Sequence, residues 1–213
     1  MLPSIKPSAQ SLGRASHPAL VHSGLMWVVG GYSFNYSNYH MMLNYNPDSS
    51  AWDVVPASSG PFYRYGHSLA LYQDCIYMFD GKLETGPANI TDELWLFNIP
   101  TRSWLPQKPA SAPLYALEGH TAHVVILPNG NPVMLVFFSY SPIYSYINKV
   151  QEYNIIDDRL IQVQAAGGEG VFSTGQLQEL LPEQQLSMGG AAAGVPGAAC
   201  FVGMAGTTSR TSA

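Results

Sequence analysis

Arg14-Ala15-Ser16-His17 opens a stretch that returns about fifty residues later as Arg64-Tyr65-Gly66-His67, and no other feature of the 213-residue chain restricts its fold as much. The first unit continues through the apolar run Leu25-Met26-Trp27-Val28-Val29 to Gly30-Gly31, then to Asn44-Tyr45-Asn46-Pro47-Asp48, and closes at Trp52. The second passes through Cys75-Ile76-Tyr77-Met78-Phe79 to Asp80-Gly81, then to Leu94-Trp95-Leu96-Phe97-Asn98, and closes at Trp104. His17 and His67 stand 50 positions apart, as do Gly31 and Gly81, while Trp52 and Trp104 are 52 apart. A third start, Glu118-Gly119-His120, lies 53 positions beyond His67 and leads through Val133-Met134-Leu135-Val136-Phe137 to Glu152-Tyr153-Asn154, with no Trp to close it.

A period of about fifty residues with a diglycine and a late Trp is the kelch form of the β-propeller repeat. Four short strands are expected per unit; in the second they run from about His67 to Tyr72, Cys75 to Asp80, Glu93 to Asn98 and Ser103 to Pro106. Gln73-Asp74 is a two-residue polar connection suited to a hairpin, and Pro47-Asp48-Ser49-Ser50 and Pro100-Thr101-Arg102-Ser103 supply turn chemistry just before each Trp. A sheet this small cannot bury both faces, so the units must stack as blades around an axis. Gly30, Gly31 and Gly81 allow a tight turn or a close backbone approach at a strand end, and Trp52 and Trp104 are suited to filling the wedge between blades. The expected fold is all-β: an incomplete kelch-type propeller of about three four-stranded blades. Residues 1–13 read as a linker, 14–158 as the repeats, and 159–213 as a low-complexity, largely disordered tail with small-residue tracts and room for one short helix from Gln176 to Leu181.

Composition narrows the partners. Only 11% of residues are charged, the net charge is −5 and no basic run is present, which argues against nucleic acid or an anionic membrane surface as partner. No stretch is apolar for long enough to span a bilayer, and Leu2 to Gly13 lacks the character of a signal peptide. Against that stand two sequons, Asn35-Tyr36-Ser37 and Asn89-Ile90-Thr91, placed alike in the long connection after the glycine position, which suggest glycosylation at Asn35 and Asn89. Cys75 and Cys200 read as unpaired thiols, one in a buried strand and one in the tail.

Met26-Trp27-Val28-Val29-Gly30-Gly31-Tyr32, Arg64-Tyr65-Gly66-His67-Ser68-Leu69-Ala70-Leu71-Tyr72 and Thr91-Asp92-Glu93-Leu94-Trp95 resemble the kelch region of the attractin and attractin-like family. So do Glu118-Gly119-His120-Thr121-Ala122-His123 and Val150-Gln151-Glu152-Tyr153. The resemblance covers about Arg14 to Asp158. It implies a six-bladed propeller within a large single-pass membrane or secreted glycoprotein that also carries CUB, EGF-like, C-type lectin and PSI or laminin-type modules. It further implies a role in cell interaction and in modulating melanocortin signalling, pigmentation and myelin maintenance. The chain departs from the pattern at Asp80, which replaces the first glycine of the second pair, and at Phe138-Ser139, which replaces the third pair. If φ stays negative at these positions, the fold is expected to survive with an altered turn.

Catalytic and metal chemistry find little purchase. His17, His67 and His120 recur at unit starts and read as structural, while His22, His40 and His123 show no ligand spacing. Neither a nucleophile elbow nor a phosphate-binding loop is present. Asp92-Glu93 reads as a solvated strand edge, because neighbours on a strand point to opposite faces. No catalytic residue, cofactor or metal is therefore expected. The best candidate for recognition is Tyr140, Tyr144 and Tyr146, interleaved with Ser139, Ser141 and Ser145 in what reads as a loop-rich segment; a second Tyr-rich loop spans Tyr32 to Tyr39.

The expected function is a non-catalytic protein-interaction scaffold, part of an attractin-like cell-surface propeller at the extracellular face of the plasma membrane or secreted, with protein partners. An intracellular kelch adaptor for ubiquitin ligation or the cytoskeleton is the alternative, and a propeller enzyme, such as one with a copper and tyrosyl centre, comes third. Three blades leave two faces without a neighbouring blade, so residues 1–213 alone are expected to be marginally stable or aggregation-prone. A single, reversible and cooperative denaturant transition of the purified monomer would overturn that expectation.

Overall fold

The computed structural model describes residues 12–34, 40–57, 59–84, 90–110, 116–143 and 145–163. Every regular element among them is a β-strand. The first blade is β1 (Ala19–His22), β2 (Leu25–Val29), β3 (Met42–Asn46) and β4 (Ala51–Val54), hydrogen-bonded in chain order. A short β5 (Arg64–Tyr65) precedes the second blade, which comprises β6 (Ser68–Tyr72), β7 (Cys75–Phe79), β9 (Leu94–Asn98) and β10 (Ser103–Gln107). Between β7 and β9, β8 (Lys82–Leu83) turns back to pair with β5. The third blade is β11 (Thr121–Ile126), β12 (Pro132–Ser141), β13 (Ser145–Asn154) and β14 (Arg159–Val163). All pairings are antiparallel, and the strands of the second unit lie within one residue of the expected bounds.

The turn between the last two strands of each blade is built the same way three times. Asn46 Oδ1 accepts from the Asp48 and Ser49 amides, Asn98 Oδ1 from the Thr101 amide, and Asn154 Oδ1 from the Ile156 and Asp157 amides. An amide oxygen that bonds its own backbone two or three residues on replaces a ladder bond and reverses the chain. Each turn then ends on a left-handed residue, Ser50, Arg102 or Asp158. The sequence reading placed this role on the following Pro, Asp and Ser residues; the structure gives it to the Asn that ends the third strand.

The third unit needs no Trp to close. Tyr45 pairs with Trp52 and Phe97 with Trp104, and Tyr153 pairs with Leu160 in the same register. Leu160 is buried, so an aliphatic side chain fills the place of the missing ring. The repeats therefore extend past Asp158, where the sequence analysis ended them, to include β14. The remainder of the expected tail, with its proposed helix, lies outside the described residues.

Apolar side chains gather where blades meet. Trp27, Val29, Met42 and Val55 of the first blade pack with Ile76, Met78, Phe97 and Trp104 of the second. Tyr77, Phe79, Leu94 and Leu96 pack in turn with Leu117, Met134, Val136, Tyr153 and Leu160. Burying a side chain of this size contributes about 1.5–3 kcal/mol, so these two interfaces hold most of the apolar stabilisation. Trp104 packs between the first two blades, 5.0 Å from the Phe97 ring. Trp52 does not: half-buried, it stacks 5.0 Å from Tyr45 and packs with Val28, Leu43 and Val54 on the opposite face of the first blade. Cys75, read as a free thiol, is disulfide-bonded; burial alone does not distinguish the two states. Cys200 lies outside the described residues.

Main-chain hydrogen bonds join the blades directly. The Gly31 amide donates 2.8 Å to the Arg64 carbonyl, and the Gly66 amide returns 3.0 Å to Ser16. One blade on, Gly81 donates 3.0 Å to Leu117, and Gly119 donates 2.9 Å to Gly66. The residue before each repeat histidine has positive φ: Ser16 at 51°, Gly66 at 65° and Gly119 at 76°. At the diglycine, Gly30 and Gly31 adopt 62° and 104°, and Asp80 and Gly81 adopt 52° and 99°. Asp80 therefore keeps the turn by entering the left-handed region, contrary to the expectation of negative φ. Aspartate tolerates that region better than most residues. The third unit takes another course: with Phe138-Ser139 in place of the pair, β12 runs on past a register shift between Phe137 and Ser139.

Two glycines separate conformation from crowding. A Cβ at Gly24, whose φ is 74°, would meet nothing within 4 Å, whereas one at Gly81 would lie 2.7 Å from His67 Cβ and 2.9 Å from the Tyr65 carbonyl. Gly24→Ala is expected to cost about 1 kcal/mol in urea denaturation and Gly81→Ala more than about 3 kcal/mol. Equal losses would mean that the joint does not depend on close approach at Gly81.

Candidate functional site: an aromatic rim across the blades

The positions two before the repeat histidine and one after the diglycine pair across each blade: Ala15 with Tyr32, Tyr65 with Lys82, and Glu118 with Tyr140. The joints set these pairs side by side, so the side chains form one row. Phe34 lies edge-on to Tyr32 at 5.4 Å, and Tyr32 lies edge-on to Tyr65 at 5.5 Å across the first joint. Lys82 Nζ sits 5.8 Å from the Tyr65 ring centre. Its ammonium is held above its ordinary pKa chiefly by hydrogen bonding to Tyr65, and further by the charges of Tyr65 and of Glu118 across the second joint. Tyr140 then meets Tyr146 at 5.6 Å, edge to face. Phe34 is 96% exposed, Tyr146 86% and Ile143 74%. Rings fixed by one another and turned to solvent provide contact area at small entropic cost.

Tyr140 and Tyr146 are thus brought together, though on opposed strands of a long β12–β13 hairpin rather than on the expected loop; Tyr144 lies outside the described residues, as do Asn35 and Asn89. Phe34 and Ile90, their chain neighbours, are described: Phe34 is in the rim, and Ile90 bridges to Lys82. Tyr65 and Lys82, which stand between the two Tyr-rich segments, carry no signal of their own in the sequence. The fifty-residue period, applied to the columns beside His and Gly, aligns Ala15, Tyr65 and Glu118 and aligns Tyr32, Lys82 and Tyr140.

An arginine at the unit start supports the rim from beneath. Arg14 Nη1 donates to the carbonyls of Gly30 and His40 at 3.0 and 3.1 Å. Arg64, fully buried, donates from Nη1 to the Asp80 carbonyl at 3.2 Å and to Thr91 Oγ1 at 3.1 Å, from Nε to the Phe62 carbonyl at 3.2 Å, and from Nη2 to the Glu93 carboxylate. Glu93 also accepts from Trp95 Nε1 at 3.0 Å. Burial disfavours the Glu93 charge, but these two donors outweigh it and hold its pKa below the usual value. Asp92 is exposed, while Glu93, half-buried, is the counter-ion of a buried arginine rather than a wholly solvated edge residue. In the third unit Leu117 takes the arginine's place, and the diglycine turn it would brace is absent as well.

His67 and His120 are buried packing groups, whereas His17 is exposed. His67 sits over the first glycine turn, where a Cβ on Gly30 would fall 2.5 Å from its Cε1, and His120 lies 5.4 Å edge-on to Phe79. Burial pushes both down to about 3, with Arg64 and His120 adding repulsion at His67. Asp80 is also buried; desolvation first, and then Asp92, raise its pKa well above the ordinary carboxyl value despite Arg64. Neither Asp80 oxygen finds a hydrogen-bond partner among the described residues. No group of three or more His, Cys, Asp and Glu among them is placed to hold a metal. Two open clefts, of about 310 and 390 Å³, lie beside Asp92, Trp95 and Lys108 and beside His40, Ser59 and Trp104.

A family model described as the Attractin/LZTR1 beta-propeller matches residues 26–176. Protein tag-53 of Caenorhabditis elegans is 31% identical over 153 residues, which cover 67% of this chain and 11% of that protein. Kelch domain-containing protein 3 of Bos taurus is 28% identical over 127 residues, covering 53% of this chain and 32% of that protein. The human protein of that name is 25% identical over 142 residues, covering 60% and 35%. The chain thus spans between about a tenth and about a third of the curated relatives it matches.

The buried ionisable groups give stability a defined pH dependence. His67 and His120 have folded values near 3, below the unfolded value of 6.5, so the unfolded chain takes up protons first as pH falls. Their contribution is complete above pH 6.5 and declines toward pH 3 by up to about 1.4 kcal/mol per histidine per pH unit. Asp80 acts in the opposite sense: its folded value is raised, so it costs stability as pH rises above 3.8. Asp80→Asn, which keeps a residue tolerant of positive φ, is expected to raise stability at pH 7 and to steepen the loss between pH 6.5 and 4. Denaturant titrations at several pH values test this, and an unchanged profile would overturn the assignment.

Proposed function

We propose, for a chain that belongs to the Attractin/LZTR1 beta-propeller family, a non-catalytic role in which the aromatic rim is the surface offered to partner proteins. The observation that carries the proposal is the row of rings: Phe34, Tyr32 and Tyr65 meet edge-on across the first joint with Lys82 beside the Tyr65 ring, and Tyr140 meets Tyr146 beside the second joint. Kelch propellers are in general interaction domains, and rigid aromatic groups with one cation are the side chains that dominate protein interfaces. Within that role, the chain acts as part of an attractin-like propeller at the extracellular face of the membrane or in a secreted glycoprotein. The two sequons support this finer reading. The second reading is a propeller-based adaptor, with which similarity to kelch domain-containing protein 3 is equally compatible.

Two measurements test these proposals. Photo-crosslinking residues introduced at Phe34 and Tyr146 are expected to capture partner protein, while one at Ile161, on the outer strand β14, captures little. Capture from Ile161 alone would overturn the rim as the binding surface. Peptide mapping of the native protein is expected to find glycan at Asn35 and Asn89. Bare asparagines at both positions would overturn the cell-surface reading and favour the adaptor.

A further inference from the structure

The register of the β12–β13 ribbon sets two exposed phenols against each other. Tyr140 and Tyr146 are opposed residues of that ladder. The Tyr140 amide donates 3.2 Å to the Glu118 carbonyl, and the Tyr140 carbonyl accepts from the Glu118 amide at 3.0 Å, so both main-chain groups of Tyr140 point away from β13. Tyr140 and Tyr146 are therefore a non-hydrogen-bonded pair, the kind in which opposed Cα atoms approach to about 4.5 Å and the side chains stand together on one face. Their ring centres lie 5.6 Å apart, edge to face, and both residues are exposed. Two other pairs of tyrosine rings meet among the described residues, in different surroundings. Tyr77 and Tyr153, 6.1 Å apart, are buried, and the Tyr153 hydroxyl donates 2.9 Å to Asp158 Oδ1. Tyr32 and Tyr65, 5.5 Å apart, are half-buried, and the Tyr65 hydroxyl is engaged by the Lys82 ammonium.

We infer that Tyr140 and Tyr146 form a site of oxidative coupling, at which a one-electron oxidant joins the two rings by a carbon–carbon bond and staples the ribbon across its strands. The oxidant is hydrogen peroxide acting through a haem peroxidase. Each phenol gives up one electron and, to solvent, one proton, and becomes a phenoxyl radical. The two radicals combine at carbons ortho to oxygen, and the hydrogen on each of those carbons passes through solvent to the oxygen of its own ring, restoring both phenols. One peroxide takes up the two electrons and two protons and leaves as two water molecules, so the chain loses two hydrogen atoms in all. Coupling requires the second ring to be at hand before the first radical is quenched, and the opposed register supplies that proximity without reorganisation. The bond closes the ribbon covalently and fixes the mutual orientation of two rings of the rim. The inference concerns these two rings and does not require that the rim bind a partner; Tyr144 lies outside the described residues and takes no part in it.

The test exposes dilute full-length chain to a haem peroxidase and equimolar hydrogen peroxide, and follows dityrosine fluorescence, intact mass and, by tandem mass spectrometry of peptides, the position of the bond. The main product is expected to be a monomer lighter by two hydrogen atoms and joined from Tyr140 to Tyr146. Tyr140→Phe and Tyr146→Phe, which keep the ring but form no phenoxyl radical, are each expected to lower the yield of that monomer about tenfold. Tyr144→Phe is expected to leave it unchanged. The position of the bond is mapped in the unaltered chain, so a variant that fails to fold does not leave the question open. A main product joined at Tyr32 and Tyr65 or through Tyr144, coupling only between chains, or no coupling at all would overturn the inference.

Discussion

The blades of this protein are joined by backbone before they are joined by side chains. At each joint one amide of the diglycine position reaches forward to the next unit, and an amide beside the next histidine reaches back. Both donors lie at residues with positive φ, which turns the N–H out of its own sheet and toward the neighbour. The geometry brings main chains so close that a side chain on Gly31 or Gly81 would collide with His17 or His67. Everything else follows from that distance: the apolar faces meet because the joints set their spacing, and the His67 and His120 imidazoles are dry because they are enclosed there.

The repeat made the fold legible. Strand positions in the second unit can be read to within one residue because hydrophobic runs and turn residues coincide. What escaped the reading was information that lies between units rather than within them. Asp80 was judged as a single departure, although its environment is set by Arg64, Asp92 and the neighbouring blade. Leu160 is not recognisable as the counterpart of a tryptophan in sequence, because packing asks only for a buried apolar group at that register. The candidate surface was legible in halves: Tyr140 and Tyr146 stood out as a cluster, but Tyr65 and Lys82 are unremarkable in sequence and acquire meaning only when two blades are placed together.

The arginines illustrate how a repeat couples its own positions. Arg14 and Arg64 each brace the carbonyl beside a left-handed turn, and the third unit has lost both the arginine and the turn. A guanidinium buried without acceptors would be costly, so the cation and the carbonyls that receive it are kept or dispensed with as a set. The same bonds place Thr91 and Glu93 under the rim, which ties the exposed row of rings to the most deeply buried charge among the described residues.

The third unit, in giving up its diglycine, also gave up the signal that stops its second strand. β12 and β13 continue as a ten-residue pair whose outer portion, beyond the shift at Phe137 and Ser139, contributes Tyr140 and Tyr146 to the surface. Side chains on such a ribbon alternate between faces, so adding or removing residues in pairs at its tip changes its length while preserving which face each ring occupies. The register shift insulates the joint-bearing part of the blade from those changes. Reach and recognition can thus diverge among related propellers by altering one ribbon, while the ring of joints is inherited unchanged.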